Sequence, residues 1–290
     1  MVIRTLRPTG PSRLTARERA RRAARGGASR SVPAPLLVPA LIAILFLVLP
    51  LAGLLVRAPG GRIAAALSGA DATQALTLSL WTATVSTAIS LVIGVPLAWV
   101  LARTSFPGQR LLRALVTLPL VLPPVVGGVA LLLAFGRTGF AGRYLDSWFG
   151  LTIPFTPLAV VMAETFVAMP FLIITVEGAL RSADQGFEEA AATLGARRMT
   201  VFRRITLPAI RWAVAYGVVL TTARCLGEFG AVAIVSGGIA GRTQTLTQYV
   251  QASYENFDQT GAYAASVLLA ALAILTLLLM TVMRHGDRSS

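Results

Sequence analysis

Apolar stretches of about 20 residues alternate with short arginine-bearing segments from residue 35 to residue 283. That length suits helices crossing the ~30 Å hydrocarbon layer of a bilayer. Six spans are predicted, at 35–56, 75–102, 114–135, 158–180, 209–235 and 262–283. The fold class is therefore all-α, a polytopic membrane protein with six transmembrane helices. The run at 35–56 follows a basic segment, as a signal core would. It is longer than such a core and no clear cleavage box follows, so it reads as the first span. The most polar interior stretch, EEAAATLGARRMTVFRRITLP at 188–208, separates the fourth and fifth spans. Ser182-Ala183-Asp184-Gln185 reads as a capping box that starts a helix there. Phe187, Ala191 and Leu194, spaced i, i+4, i+7, give that helix an apolar face. The small side chains of Ala190, Ala191 and Ala192 would let another protein approach closely. Gly195 should end the helix, residues 197–205 should form a second short one, and Pro208 should open the next span.

Composition sharpens the class. The chain is 55% hydrophobic and 13% charged, with mean hydropathy +0.72. A soluble domain carries roughly twice that charge. The 26 basic residues are all arginine, which reads as compositional bias. A net charge of +14 would suit nucleic acid, but the arginines sort by side instead. Twenty lie in the N-terminal segment, the loop at Arg103, Arg110 and Arg113, the central loop and the C-terminal end. Five lie in the alternate segments: Arg57, Arg62, Arg137, Arg143 and Arg242. The positive-inside rule then puts both termini and the central loop in the cytoplasm, with lipid and not nucleic acid as the bulk partner. Residues 1–32 hold nine arginines and no long apolar run, and are expected to be a disordered basic cytoplasmic tail against anionic lipid. Residues 33–285 would form the transmembrane domain. The single cysteine, Cys225, cannot form an internal disulfide, and the single histidine, His285, lies near the C-terminus. Neither supports catalysis or a metal cluster.

Two spans carry interruptions. Leu118-Pro119-Leu120-Val121-Leu122-Pro123-Pro124 should break the third, since proline removes backbone donors and kinks a helix. Such breaks at membrane depth are buried in protein or line a water-filled path. Pro119, Pro123 and Pro124 are therefore either pathway residues or a packing kink. In the fifth, Arg224 and Glu228 stand one turn apart and can neutralise each other. The pair either holds the span to a neighbour or lets Arg224 attract an anion while Glu228 fixes its orientation.

Glu189-Ala190-Ala191, three residues, Gly195, nine residues, then Ile205-x-Leu207-Pro208 is similar, without a gap, to the EAA loop of ABC importer permeases. The resemblance implies that the loop at 181–208 is a helical hairpin docking on a cytoplasmic ATPase. Glu189 would be its polar contact, Ala190 and Ala191 the close approach and Gly195 the turn, with Ile205, Leu207 and Pro208 as the further ATPase-coupling positions of the motif. Leu226-Gly227-Glu228-Phe229-Gly230-Ala231, Thr243-Gln244-Thr245-Leu246 and the proline segment resemble the sulfate and molybdate branch of that family. The C-terminal third, with Tyr254-Glu255-Asn256-Phe257-Asp258, resembles the sulfate/thiosulfate CysW-type subunit.

The resemblance implies an import permease for a sulfate-type oxyanion, or else for molybdate or tungstate, in a bacterial plasma (inner) membrane. Its partners would be two cytoplasmic ATPase subunits, a second permease subunit and an extracytoplasmic oxyanion-binding protein. No G-x-x-x-x-G-K-[ST] loop is present, so ATP and Mg would belong to the ATPase and this chain would bind no cofactor. A secondary transporter or channel would call for inverted repeats or a proton-relay carboxylate, and an intramembrane hydrolase for a nucleophile with a histidine; no span holds a histidine.

Overall fold

The computed structural model describes residues 34–58 and 60–286, and the expected tail at 1–32 lies outside them. The described residues fall into two units divided between Gly53 and Leu54. Most of α1, Ala34–Arg57, belongs to the first. It is long and apolar enough to cross a membrane, even with Pro39 and Pro50 inside it.

The second unit starts with the short α2, Ile63–Leu67, and then the long α3, Ala70–Arg103. The buried side of α3 is built from small residues: Ala72, Ala75, Ser79, Ala83, Ser86, Ser90, Gly94 and Ala98. They recur every three or four positions, so one thin stripe runs the length of the helix. Lipid is as apolar as leucine, so membrane helices associate through close packing, and small side chains permit it. That stripe seats α7, Pro157–Ser182, the most buried span. Val95, Ala98 and Leu101 pack with Leu172, Ile173, Val176 and Leu180 at one end of the pair. At the other end Ala159, Val160, Ala163 and Val167 pack with Leu131, Ala231, Val232 and Val235.

The third predicted span is not one helix. It is α4, Gln109–Val121, and α5, Pro124–Phe135, bent by 117°. Pro119 stays within α4, and the break falls at Leu122-Pro123, because Pro124 at the first position of α5 owes no hydrogen bond there. A short amphipathic helix, α6, Gly142–Phe149, follows.

After α7 comes α8, Gly186–Thr193, then α9, Arg198–Val201, a π-helical turn at Phe202–Thr206, and α10, Leu207–Ala209. The expected capping box does not form. Ser182 is the last residue of α7 and its hydroxyl donates to the Gly178 carbonyl, while Asp184 Oδ1 accepts from the Gly186 amide. The second arm does not stop at 205 either, because the π turn carries it on. The fifth predicted span is also broken. Its axis turns 73° at Ile210, α11 runs Arg211–Leu226, and α12, Gly230–Ser236, starts afresh. The connection expected after it contains α13, Leu246–Glu255, which begins on a capping box of Thr245 and Gln248. Helix α14, Gln259–Gly286, closes the described chain. Among the described residues, four helices are long and apolar enough to span, or up to six if each bent pair counts as one.

Candidate functional site

The hairpin α8–α9 forms one end of the bundle. Its turn follows from Gly195, which takes φ +82°, a left-handed conformation glycine adopts without strain. The Gly195 amide donates to the Ala192 carbonyl and the Ala196 amide to Ala191. Those are the crossed bonds of a Schellman motif, and they satisfy the carbonyls left over at the end of α8. Glu189, Ala190 and Gly195 are exposed; Ala191, Ile205 and Leu207 are half-buried; Pro208 is exposed. The expected apolar face exists but finds little cover among the described residues: Phe187 is 71% and Leu194 88% exposed.

Behind the hairpin lies a groove of about 340 Å³ between its two arms and the end of α3. Trp99, Arg103, Glu188, Glu189, Phe202 and Thr206 are among its walls. Arg103, the last residue of α3, donates from Nη2 to Glu188 Oε1 at 2.9 Å. Trp99 meets the Phe202 ring edge-on, centroids 6.4 Å apart. Nearby, Glu177 Oε1 accepts from both Arg113 and Arg181, whose guanidinium groups also reach the Leu101 carbonyl. The helix ends α3, α4 and α7 are thus fastened together beside the hairpin.

The second set of predicted residues meets where the two broken spans cross. Gly128 is pressed against Ala231, where a Cβ would lie 2.8 Å from the Ala231 carbonyl oxygen. Gly230 sits equally close to Pro124. The structure therefore brings Pro124, with Pro123 as the N-cap before it, beside Gly230, two residues past Glu228, while Pro119 lies within α4. Glu228 is buried. One carboxylate oxygen accepts from Arg224 Nη2 at 2.6 Å and the other from the Ala231 amide at 2.8 Å, which caps α12. Thr247 donates to the Glu228 carbonyl. Arg224 keeps 27% of its side chain exposed.

A second buried carboxylate lies in α7, and its partners were not foreseen. Glu164 accepts from Thr82 and Ser86 at 2.9 and 2.8 Å, and the Thr87 and Thr222 hydroxyls pair at 3.1 Å. The signal was the run of hydroxyls on α3 at helical spacing. It could have been paired with Glu164 only by knowing which helix faces α3.

The chain belongs to the family of binding-protein-dependent transport system inner membrane components, whose profile matches residues 90–289. It is a multi-pass inner membrane protein, and its relatives are named as permease subunits of transport systems. Among its relatives, the molybdenum transport system permease protein ModB of Mycobacterium tuberculosis is 46% identical over 241 residues, covering 83% of this chain and 90% of that one. The sulfate transport system permease protein CysW of Synechocystis sp. is 42% identical over 212 residues, covering 73% of this chain and 76% of that one. CysW of Escherichia coli K12 is 39% identical over 218 residues, 75% of each chain. In structure, a bacterial ABC transporter that imports alginate superposes with TM-score 0.68 at 17% identity, over 88% of this chain and 94% of that one. At that identity the likeness shows the fold alone.

Proposed function

We propose that this chain is the membrane-spanning subunit of an ATP-driven importer for a sulfate-type oxyanion. The observation that carries the reading is the hairpin: a capped turn at the bundle end presents Phe187, Leu194 and Met199, all exposed, to a partner. Apolar side chains grouped on a polar hairpin mark an interaction surface. The partner of matching role is a cytoplasmic ATPase, with Glu189 as polar contact, Ala190 and Ala191 as close approach and Gly195 as turn. ATP and Mg then belong to the ATPase, and this chain binds no cofactor. The hairpin and both termini face the cytoplasm, as the arginine distribution favours. A second permease subunit, homologous or identical, completes the pore, and a soluble oxyanion-binding protein delivers cargo from the other side.

Binding energy from ATP closing the ATPase pair would shift the spans between two arrangements. The crossing of the broken spans, with Pro123, Pro124, Arg224 and Glu228, is the gate in this reading. Molybdate stands as the second reading, favoured by 46% identity to a relative named for molybdenum transport. Uptake of labelled sulfate and of labelled molybdate in a strain lacking this gene decides between them. Loss of sulfate uptake, restored by the intact gene, is expected; a selective loss of molybdate uptake would replace sulfate by molybdate. Retention of both would overturn the oxyanion reading.

A further inference from the structure

We infer that the Arg103–Glu188 ion pair is the joint through which movement of the hairpin reaches the second predicted span; Arg103 is a positioning residue for coupling. This rests on the reading of the hairpin as the ATPase-docking element.

The pair joins the last residue of α3 to the first turn of α8, elements separated by 85 positions in the chain. Only 6% of the Arg103 side chain and 18% of the Glu188 side chain are exposed. Nε and Nη1 of Arg103 are buried with no hydrogen-bond partner. A buried guanidinium with unmet donors is costly, so Arg103 depends on Glu188 for compensation. Such a pair is a poor static brace and a sensitive one: moving Glu188 leaves the cation uncompensated. The adjoining groove leaves room for that movement, and the Trp99–Phe202 edge contact borders it.

The other side of the joint is tight. The Leu101 carbonyl, two residues before Arg103, accepts from Gln109, Arg113 and Arg181. Gln109 and Arg113 belong to α4, whose far end is the break beside Pro124 and Gly230. A displacement imposed on Arg103 is therefore imposed on α4 and on the crossing of the broken spans. The coupling runs through side chains with discrete bonded states, which can carry it over such a distance.

The test uses the full complex, with its own ATPase, in proteoliposomes. Arg103→Gln, Glu188→Gln, the double variant and Glu188→Asp are compared for retained ATPase, ATP hydrolysis and cargo moved per ATP. Each single Gln variant is expected to retain the ATPase and lower cargo per ATP by about tenfold, within the usual range of coupling between sites. The double variant should be no worse than either single one, and Glu188→Asp should fall between. Multiplying losses in the double variant, or unchanged cargo per ATP in the single ones, would overturn the inference. So would loss of the ATPase from the variants, since the pair would then be part of docking. Wild-type protein that retains no ATPase would instead sink the docking reading itself.

Discussion

Removing the Glu228 carboxylate would leave Arg224 charged with no partner and α12 without its cap. Breaking one side of a buried ion pair costs about 3–5 kcal/mol, and the partial exposure of Arg224 puts this case at the low end. Glu228→Ala is expected to lower the thermal midpoint of the purified protein. Glu228→Gln should lower it less, because an amide oxygen still accepts from Ala231. Arg224→Leu separates the remaining roles: uptake at unchanged affinity removes Arg224 from anion attraction. At the opposite end, the Thr152 hydroxyl and the Arg137 guanidinium hold the Asp146 carboxyl below its usual range. A depressed carboxylate contributes stability above its unfolded value of about 4 and loses it as pH falls through the folded value. Asp146→Asn should therefore leave the pH dependence of stability between about 5 and 8 unchanged and alter it only in acid, as a melting series across pH would show. Arg224 with Glu228 was legible in the sequence because the two stand only four positions apart, although Glu228 lies just past the end of α11 and not on it. Arg103 with Glu188, and Glu164 with Thr82 and Ser86, are joined only by the fold.

Among the elements, the two broken spans depend on glycine at their crossing. A methyl at Gly128 meets the Ala231 backbone at 2.8 Å, and one at Gly230 meets the Pro124 ring at 2.8 Å. A methyl at Gly217 meets only the Leu172 Cδ1 at 2.7 Å, the far end of a side chain able to turn away. Gly128→Ala should thus cost about 1–3 kcal/mol, as overpacking does, and cut uptake, while Gly217→Ala is tolerated. Yield of folded protein and uptake in the same membranes give both readings. The prolines told where the third span breaks, though not that it turns 117°. The breaks in the fifth span carry less warning. Gly227–Phe229 lies within a segment whose average hydropathy reads straight through the break, and the turn at Ile210 falls where that residue is buried in the core. Helix α13 had its signal in Thr245 and Gln248, the residues of its capping box.

For the molecule as a whole, orientation is the testable quantity. The single cysteine is 2% exposed, so the native chain offers a silent background to a thiol reagent. Gly195→Cys and Ser147→Cys report opposite ends of the bundle. An impermeant reagent added to intact cells should label position 147 and spare 195, with the reverse in inverted vesicles. The apolar segments and the position of the hairpin between the fourth and fifth of them were legible from the sequence because membrane depth sets the length of every span, while the bends that leave four whole helices, or six spans with the bent pairs, were not. The packing order was not, since apolar spans all look alike until their small residues meet a neighbour.

The π turn at Phe202–Thr206 holds one residue more than a regular helical turn would. Deleting a single residue there, Arg204 for instance, would let the arm relax into an unbroken α-helix. Everything on its N-terminal side would then swing by about 100° around the axis, the angle one residue occupies. Phe202 would leave Trp99 and the hairpin would turn a different side outward, so this one supernumerary residue sets the phase of the whole hairpin.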